Sequence, residues 1–182
     1  MKVFYDTEFV DDGRTIELVS IGMVREDGAE YYAETDYDPA KRVPRTEWSP
    51  WMLENVVPHL SGGSCRKPRG QIADEILTFV GKDPELWGWY SAYDHVALAQ
   101  LYGPMVDLPA GWPYYTRDVR QLASSLGWPE RKRPPVPKVD EHDALADARW
   151  TKAVHAWCET LRRYAAMAES LGVIYRTGDE LE

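Results

Sequence analysis

The first 35 residues of the chain contain three segments whose apolar residues are patterned as in β-strands. Residues 2–9 interleave aromatic and β-branched side chains with polar ones, and residues 16–25 form a strongly apolar run. Asp27 and Gly28 are a hairpin turn signal that leads into a third strand pattern at residues 30–35. The pattern predicts three antiparallel strands at the amino-terminal end.

Apolar residues at helical spacing follow from residue 50 onward. Ser49 as N-cap and Pro50 at the first helical position predict a helix that ends near His59. The same signals predict helices at about 71–80, 92–103, 118–126 and 143–171, and strands at 85–90 and 114–116. Strands and helices in this order predict an α/β fold with a mixed sheet.

The last predicted helix carries one apolar stripe whose members recur at alternating spacings of four and three residues. The stripe consists of Trp150, Val154, Trp157, Leu161, Tyr164, Ala168 and Leu171. We expect the stripe to pack against the sheet, and a dimer seam is the alternative. The polar residues 173–182 are expected to form a loosely held tail.

Composition narrows the class of protein. The 182 residues suit a single domain over 1–182, and 44% hydrophobic with 28% charged residues is typical of a soluble globular protein. No run approaches the roughly 20 apolar residues of a membrane span, and acidic residues within the first ten argue against a signal peptide. Two cysteines do not form a disulfide framework, so a cytoplasmic, reduced protein is expected.

The net charge of −9 argues against a protein that grips long duplex nucleic acid, which usually presents a basic face. Nucleic acid would then be met at a small local site. The basic stretch 130–138 is the exception in this acidic chain. Its cationic residues Arg131, Lys132, Arg133 and Lys138 could guide the phosphates of a single strand, although a solvated loop is the alternative.

Two acidic residues lie on the first predicted strand. Asp6 and Glu8 are two positions apart, so their side chains point to one face with Cα atoms about 6.6 Å apart. Because the flanking sequence is apolar, two such carboxylates would repel each other, and we expect a positive charge to compensate. A solvated acidic strand face is the alternative.

Further candidates stand at the ends of two predicted helices. Asp94 lies where the fourth strand gives way to a helix, a junction that commonly lines an active-site crevice, although Asp94 could simply cap that helix. His142 and Asp147 lie at the start of the long helix, where Asp143 suits the N-cap. Two small alanines between them would let this helix approach the sheet closely.

These residues together form a more specific pattern than any one of them. Carboxylate oxygens suit Mg²⁺ or Mn²⁺, and two such ions about 3.5–4 Å apart can promote in-line displacement at a phosphodiester. A histidine with the usual pKa of about 6.5 is suited to deprotonate the attacking water. The acidic members of the pattern are Asp6, Glu8, Asp94 and Asp147, and the histidine is His142.

The motifs D-T-E, Y-D-H and H-x-A-x-x-D resemble those of the DEDDh 3′–5′ exonucleases in the RNase H-like superfamily, which include RNase T, oligoribonuclease and proofreading subunits. The resemblance runs from Lys2 to about Leu161. It implies a five-stranded mixed sheet flanked by helices, two Mg²⁺ ions and a general base at His142. It also implies metal ligands at Asp6, Glu8, Asp94 and Asp147.

The chain departs from many of these relatives near the expected nucleotide site. Phe9 and Val10 replace a Thr-Gly pair, and Tyr90 replaces an Asn four residues before Asp94. The strings at residues 5–22, 30–34 and 92–105 resemble the ribonuclease AS group, which is polyadenylate-specific and homodimeric. That resemblance implies an adenine preference and a possible homodimer.

Three residues are candidates for contact with the substrate. Phe9 could stack on a base or belong to the core, and Glu17 could accept a hydrogen bond from the adenine amino group or pair with an Arg. His95 could reach the scissile region or lie on the helix surface. Asp118 is expected to cap a helix instead.

The sequence therefore predicts a Mg²⁺-dependent 3′–5′ exoribonuclease that releases nucleoside 5′-monophosphates from single-stranded RNA, with adenine-rich 3′ ends favoured. One alternative is the same chemistry on DNA, in proofreading or repair. Another is an RNase H-like module that binds RNA or protein without hydrolysis, against which the intact set of four acids and one histidine argues. The chain has no P-loop, dinucleotide-binding or serine-hydrolase motif.

Overall fold

A computed structural model describes residues 1–36, 49–129 and 132–171. The predicted tail at 173–182 and Arg131 of the basic stretch lie outside these ranges. No helix within the described ranges is long and apolar enough to cross a membrane.

The described residues contain one mixed sheet with the strand order β4-β3-β2-β1-β5-β6. Its strands are β1 (Lys2–Asp11), β2 (Ile16–Arg25), β3 (Glu30–Thr35), β4 (Arg66–Lys67), β5 (Glu85–Gly88) and β6 (Arg117–Asp118). The first three strands are antiparallel, and β5 pairs in parallel with β1 and with β6. The predicted α/β fold is confirmed. The sheet has one strand more than the five expected, because β4 has only two residues and leaves no pattern from which the sequence could predict it.

The last strand lies later in the chain than predicted. Residues 114–116 carry strand-favouring side chains, yet Tyr114 and Tyr115 are exposed and the backbone joins the sheet only at Arg117. The two tyrosines therefore lie on a surface loop, and their high β-propensity does not correspond to strand pairing at that position.

Within the described ranges, five α-helices surround the sheet. They are α1 (Pro50–Asn55), α2 (Arg69–Val80), α3 (Ala92–Ala99), α4 (Val119–Ser125) and α5 (Ala144–Ser170). Ser49 caps α1 as predicted, because its side chain accepts a hydrogen bond from the Met52 N–H. The helix ends sooner than predicted since Pro58 has no N–H to donate, and a short 3₁₀ turn follows instead.

The strand alternation of β1 divides the core between the two faces of the sheet. Val3 and Tyr5 belong to a buried cluster with residues of α2 and α3, whereas Phe4 belongs to a second cluster with α4 and α5. Each fully buried large side chain stabilises the fold by about 1.5–3 kcal/mol. Asp6 and Glu8 share the face of Phe4, so both carboxylates point toward α5.

Only the first half of the α5 stripe packs as expected. Trp150 and Val154 are buried, whereas Tyr164 is 53% exposed and Leu171 is 70% exposed. A helix of 27 residues is about 40 Å long and exceeds the length of any strand in this sheet. Its carboxyl-terminal half therefore extends past the sheet, with its apolar residues unburied.

Candidate active site

The first acidic pair lies on the central strand of the sheet. Asp6 is partly buried and opposite Gly22 of β2, and Glu8 is 8% exposed and opposite Ser20. A β-bulge follows directly after Glu8 and shifts the register before Phe9. Bulges re-aim side chains next to active sites, and this one separates the orientation of Phe9 from that of the two carboxylates.

Gly22 brings the start of α5 against the sheet. A Cβ atom at this position would lie 2.3 Å from the Leu145 nitrogen and 2.4 Å from the Ala144 carbonyl carbon. Ala144 is fully buried at this contact, in agreement with the predicted close approach of the helix. The glycine itself was not among the candidates, although a glycine inside a strongly apolar strand signals a close backbone approach.

The first turn of α5 orders the third motif. Asp143 is the N-cap, as predicted, and its carboxylate accepts a hydrogen bond of 2.7 Å from the Ala146 N–H. His142 has a φ of +69°, a left-handed conformation that is uncommon for side chains other than glycine. The His142 N–H donates to Asp147 Oδ2 at 3.2 Å, so the histidine and the aspartate are fixed to each other.

Three predicted residues meet at the centre of the site. Glu8, His142 and Asp147 each present a potential ligand atom, and these atoms all lie within 4.8 Å of one another. His142 Nδ1 lies 4.0 Å from Glu8 Oε1. The Lys138 ammonium lies 3.0 Å from Asp147 Oδ1 and provides a compensating positive charge of the kind that the acidic strand requires.

Asp94 is joined to the first strand rather than serving as a helix cap. The N-cap of α3 is Ser91, and Asp94 lies in the first turn with 5% exposure. Its Oδ1 accepts hydrogen bonds from the Thr7 N–H at 2.9 Å and from the Thr7 hydroxyl at 2.6 Å. Thr7, between the two acids of β1, therefore holds the third acid beside them.

Burial and mutual repulsion raise the pKa of the acidic side chains. Burial, followed by the charges of Asp94, Glu8 and Asp147, raises the pKa of Asp6 well above its ordinary value. Burial, Asp147 and Asp94 raise the pKa of Glu8 to about 8, and burial raises the pKa of Asp94 to about 6. Each of these carboxyl groups is thus held in an environment that opposes its ionised form.

This donor set fits a hard divalent cation. The converging groups are mainly carboxylates, and the nearby Lys138 provides only one positive charge against four acids. A divalent ion would offset the repulsion that raises these pKa values, and oxygen ligands are those that Mg²⁺ and Mn²⁺ prefer. The carboxylates can therefore hold metal, and His142 stands at the edge of the same cluster with a third of its side chain exposed.

The candidate substrate contacts have different surroundings. Phe9 stacks on Tyr93 with ring centroids 5.8 Å apart and ring planes 8° from parallel, and Tyr93 is 52% exposed. Glu17 lies 3.8 Å from the guanidinium of Arg69, which agrees with the pairing weighed for it. His95 is partly buried on α3, and its Nδ1 lies 3.1 Å from the hydroxyl of Thr116.

Trp51 is a site residue that the sequence pattern did not single out. Its ring meets the ring of His142 edge to face at 4.7 Å between centroids, and 49% of the residue is exposed. The sequence showed only an aromatic residue in the first turn of α1, far from the third motif along the chain. Asp118, by contrast, caps α4 as predicted and accepts from the Arg120 and Gln121 N–H groups.

Sequence comparison relates this chain to known proteins. Residues 1–158 match the family model described as the 3′-5′ exoribonuclease Rv2179c-like domain. Two proteins of Mycobacterium tuberculosis, 3′-5′ exoribonuclease Rv2179c of strain H37Rv and 3′-5′ exoribonuclease MT2234.1 of strain CDC 1551, are each 48% identical to this chain over 156 residues. The match covers 82% of this chain and 88% of each relative.

A solved structure shares the fold. Pop2p of S. pombe, in its Mg²⁺- and Mn²⁺-bound form, superposes with a TM-score of 0.54 over 90% of this chain and 83% of its own, at 12% identity. The expected RNase H-like fold is thereby confirmed. From the family model and the 48% identity, the chain belongs to the Rv2179c-like family of 3′–5′ exoribonucleases.

Proposed function

We propose that this protein is a Mg²⁺-dependent enzyme that hydrolyses single-stranded RNA from its 3′ end and releases nucleoside 5′-monophosphates. The convergence of Glu8, His142 and Asp147 within 4.8 Å, with Asp94 joined to the same strand through Thr7, carries the proposal. This arrangement combines a candidate general base with carboxylates that can hold cations. Such a combination suits attack by water on a phosphodiester.

The acidic residues have the role of metal ligands in this proposal. They are Asp6, Glu8, Asp94 and Asp147. Two Mg²⁺ ions, or Mn²⁺ in their place, would supply charge neutralisation at the attacked phosphate and at the leaving oxygen. The raised pKa values of Asp6, Glu8 and Asp94 support this role, because a bound cation would offset the burial and repulsion that oppose the ionised carboxylates.

His142 is the proposed general base. Its backbone N–H donates to Asp147, and its ring lies near Glu8 and against the ring of Trp51. The side chain is 33% exposed, so water and substrate can reach it. A fixed but accessible imidazole can take the proton of the attacking water as the phosphodiester bond breaks.

We further propose that the enzyme prefers adenine at the 3′ end, and the resemblance to the ribonuclease AS group supports this preference. The stacked rings of Phe9 and Tyr93 form an aromatic surface on which a base can lie. Glu17 is the candidate acceptor for the adenine amino group, and His95 is a candidate for contact near the scissile bond. A carboxylate acceptor at this edge favours adenine because guanine and uracil have no amino donor there.

The test is a time course on 5′-labelled 20-nucleotide oligoadenylate, oligouridylate and oligocytidylate, as RNA and as DNA, with Mg²⁺ and with EDTA. We expect a Mg²⁺-dependent ladder that shortens from the 3′ end, fastest on oligoadenylate RNA. An Asp147→Asn variant should be inactive, whereas Asp107→Asn, which changes an exposed acid in the 3₁₀ turn Met105–Asp107 outside the proposed site, should match the wild type. Equal rates on all RNA substrates would remove adenine preference, and faster cleavage of DNA would favour the repair enzyme. Binding without cleavage would favour the non-hydrolytic module.

A homodimer formed through the exposed half of the α5 stripe completes the proposal. Tyr164 and Leu171 of the stripe, and Met167 beside them, are each more than half exposed, which supports a partner surface there. Light scattering should give twice the mass of one chain, and Tyr164→Glu should reduce it to one chain. A wild-type monomer would contradict the homodimer alone.

The free thiols of Cys65 and Cys158 are in keeping with the cytoplasmic location that we propose.

A further inference from the structure

A cationic cavity, here called the Arg120 pocket, lies beside the carboxylate cluster. It has a volume of 240 Å³ and is lined by Arg120, Lys132, Arg133 and Lys138 together with the rings of Tyr90 and Trp150. Lys138 belongs to both places, since its ammonium lies 3.0 Å from Asp147 Oδ1. The pocket is therefore separated from the proposed metal site by a single side chain.

Arg120 is the reason to regard this cavity as a binding site. The residue is 5% exposed, and both terminal nitrogens of its guanidinium are buried without a hydrogen-bond partner among the residues that the structure describes. An ionised group that is removed from water without a partner is costly to the fold. A guanidinium held in this way is complementary to an anion that supplies the missing acceptors.

The other cations leave the pocket with an excess of positive charge. Arg133 pairs with Glu141 at 2.6 Å, and Lys138 pairs with Asp147. Lys132 lies over the ring of Trp128, 5.4 Å from its centroid, and has no carboxylate partner within the described ranges. Four cations facing two carboxylates leave about two positive charges for a ligand.

Tyr90 adds an aromatic surface at the same cavity. It is 63% exposed and has a φ of +56°, a left-handed conformation that is rare for a bulky side chain. Exposed rings beside cationic side chains are the combination by which proteins bind single-stranded nucleic acid, where rings stack on bases and cations follow the phosphates. This pairing favours a nucleotide chain over a simple inorganic anion.

We infer that the Arg120 pocket binds a backbone phosphate of the RNA strand, on the 5′ side of the bond that is cleaved. The inference rests on the proposed function, because the carboxylate cluster is taken to hold the 3′-terminal phosphodiester. Arg120 forms the paired hydrogen bonds of a guanidinium to phosphate oxygens, and Lys132 neutralises the same group from the solvent side. The pocket thus fixes the strand while the terminal bond lies at the carboxylates.

The test measures binding of 5′-labelled oligoadenylate by fluorescence anisotropy in EDTA over a series of salt concentrations. We expect Arg120→Met to weaken binding about tenfold and to flatten the salt dependence by about 0.7 in log–log slope, the value for one phosphate on a single strand. With Mg²⁺, the defect should appear in KM more than in kcat. Lys132→Met, at an exposed position where folding is not in question, should show a weaker effect of the same sign.

Arg162→Met is the matched control. Arg162 is an exposed arginine on α5, about 22 Å along the helix from Asp147, and it pairs with Glu159. It should bind RNA as the wild type does. The melting temperature of Arg120→Met should equal or exceed that of the wild type, since the variant removes a buried charge that lacks a partner.

Three results would overturn the inference. Wild-type affinity and salt slope in both pocket variants would show that no phosphate is bound there. An equal loss in Arg162→Met would show a general effect of charge. If inorganic phosphate or AMP stabilises only the wild type against thermal unfolding, and Arg120→Met still binds RNA normally, the pocket binds a free anion instead. A wild type that is inactive with Mg²⁺ would refute the proposed function. The binding result could still be interpreted, because binding is measured in EDTA.

Discussion

The protonation of Glu8 offers a quantitative test of the site. Its side chain is buried beside Asp147 and Asp94, and its pKa rises from 4.5 to about 8. A carboxyl group with a raised pKa in the folded state contributes stability below its unfolded pKa. That stability is lost as the pH rises through the folded pKa. The metal-free protein should therefore become less stable between pH 5 and pH 9.

The size of the loss follows from the pKa. Each pKa unit corresponds to about 1.36 kcal/mol, so the interval from pH 6 to a folded pKa of about 8 is equivalent to about 3 kcal/mol. For a chain of this length, that loss lowers the melting temperature by roughly 6–12 °C. Asp94, with a pKa of about 6, adds little above pH 7.

The assay is thermal unfolding of the wild type and of Glu8→Gln in EDTA at pH 6, 7, 8 and 9. The glutamine keeps the shape of the side chain and cannot ionise, so the variant should lose about 3 kcal/mol less than the wild type over this range. Glu169→Gln, which removes an exposed acid from the end of α5, should follow the wild type. Saturating Mg²⁺ should stabilise the wild type most at high pH, where the carboxylates are ionised.

Equal pH dependence in the wild type and Glu8→Gln would show that Glu8 ionises freely in the folded protein. The buried acidic cluster would then not create the charge repulsion that the proposed metal ions relieve.

Three further predictions follow from the same geometry. Gly22→Ala should lower both stability and activity, because the added methyl group would lie 2.4 Å from the backbone of Ala144 and must displace the start of α5. A melting temperature and a kcat equal to those of the wild type would contradict this prediction. His142→Ala should reduce kcat by about 10²–10⁴-fold with little change in Mg²⁺ affinity measured by calorimetry, and full activity would exclude it as the base. Thr7→Val removes the hydroxyl that donates to Asp94. We expect it to lower the free energy of unfolding by about 1–3 kcal/mol and to weaken Mg²⁺ binding. A Mg²⁺ affinity equal to that of the wild type, measured by calorimetry, would argue against a positioning role for Thr7.

The sequence predicted most elements of the fold because their signals are local. The first three strands were placed within two residues of their observed ends, and the Ser49 and Asp143 caps were read from residue type and position. The features that it did not predict depend on contacts between distant segments. β4 exists only because two residues pair with β3, and the outer half of the α5 stripe is exposed because the helix is longer than the sheet.

The same distinction applies to the site. Motif spacing singled out four acids and one histidine as candidates, and the structure brings three of them, Glu8, His142 and Asp147, together. Partners that act across the fold could not be read from a single segment. Trp51 beside His142 and the unpaired Arg120 become visible only once the elements are packed.

The most direct measurement of the central claim is the identity of the product released from oligoadenylate RNA. The wild type is incubated with the substrate in Mg²⁺ or in EDTA, and the products are separated by chromatography and identified by mass. A Mg²⁺-dependent 3′–5′ exoribonuclease should release AMP with its phosphate on the 5′ oxygen, from the earliest time points and only with Mg²⁺. Release of 3′-phosphorylated products, internal fragments or equal product in EDTA would contradict it.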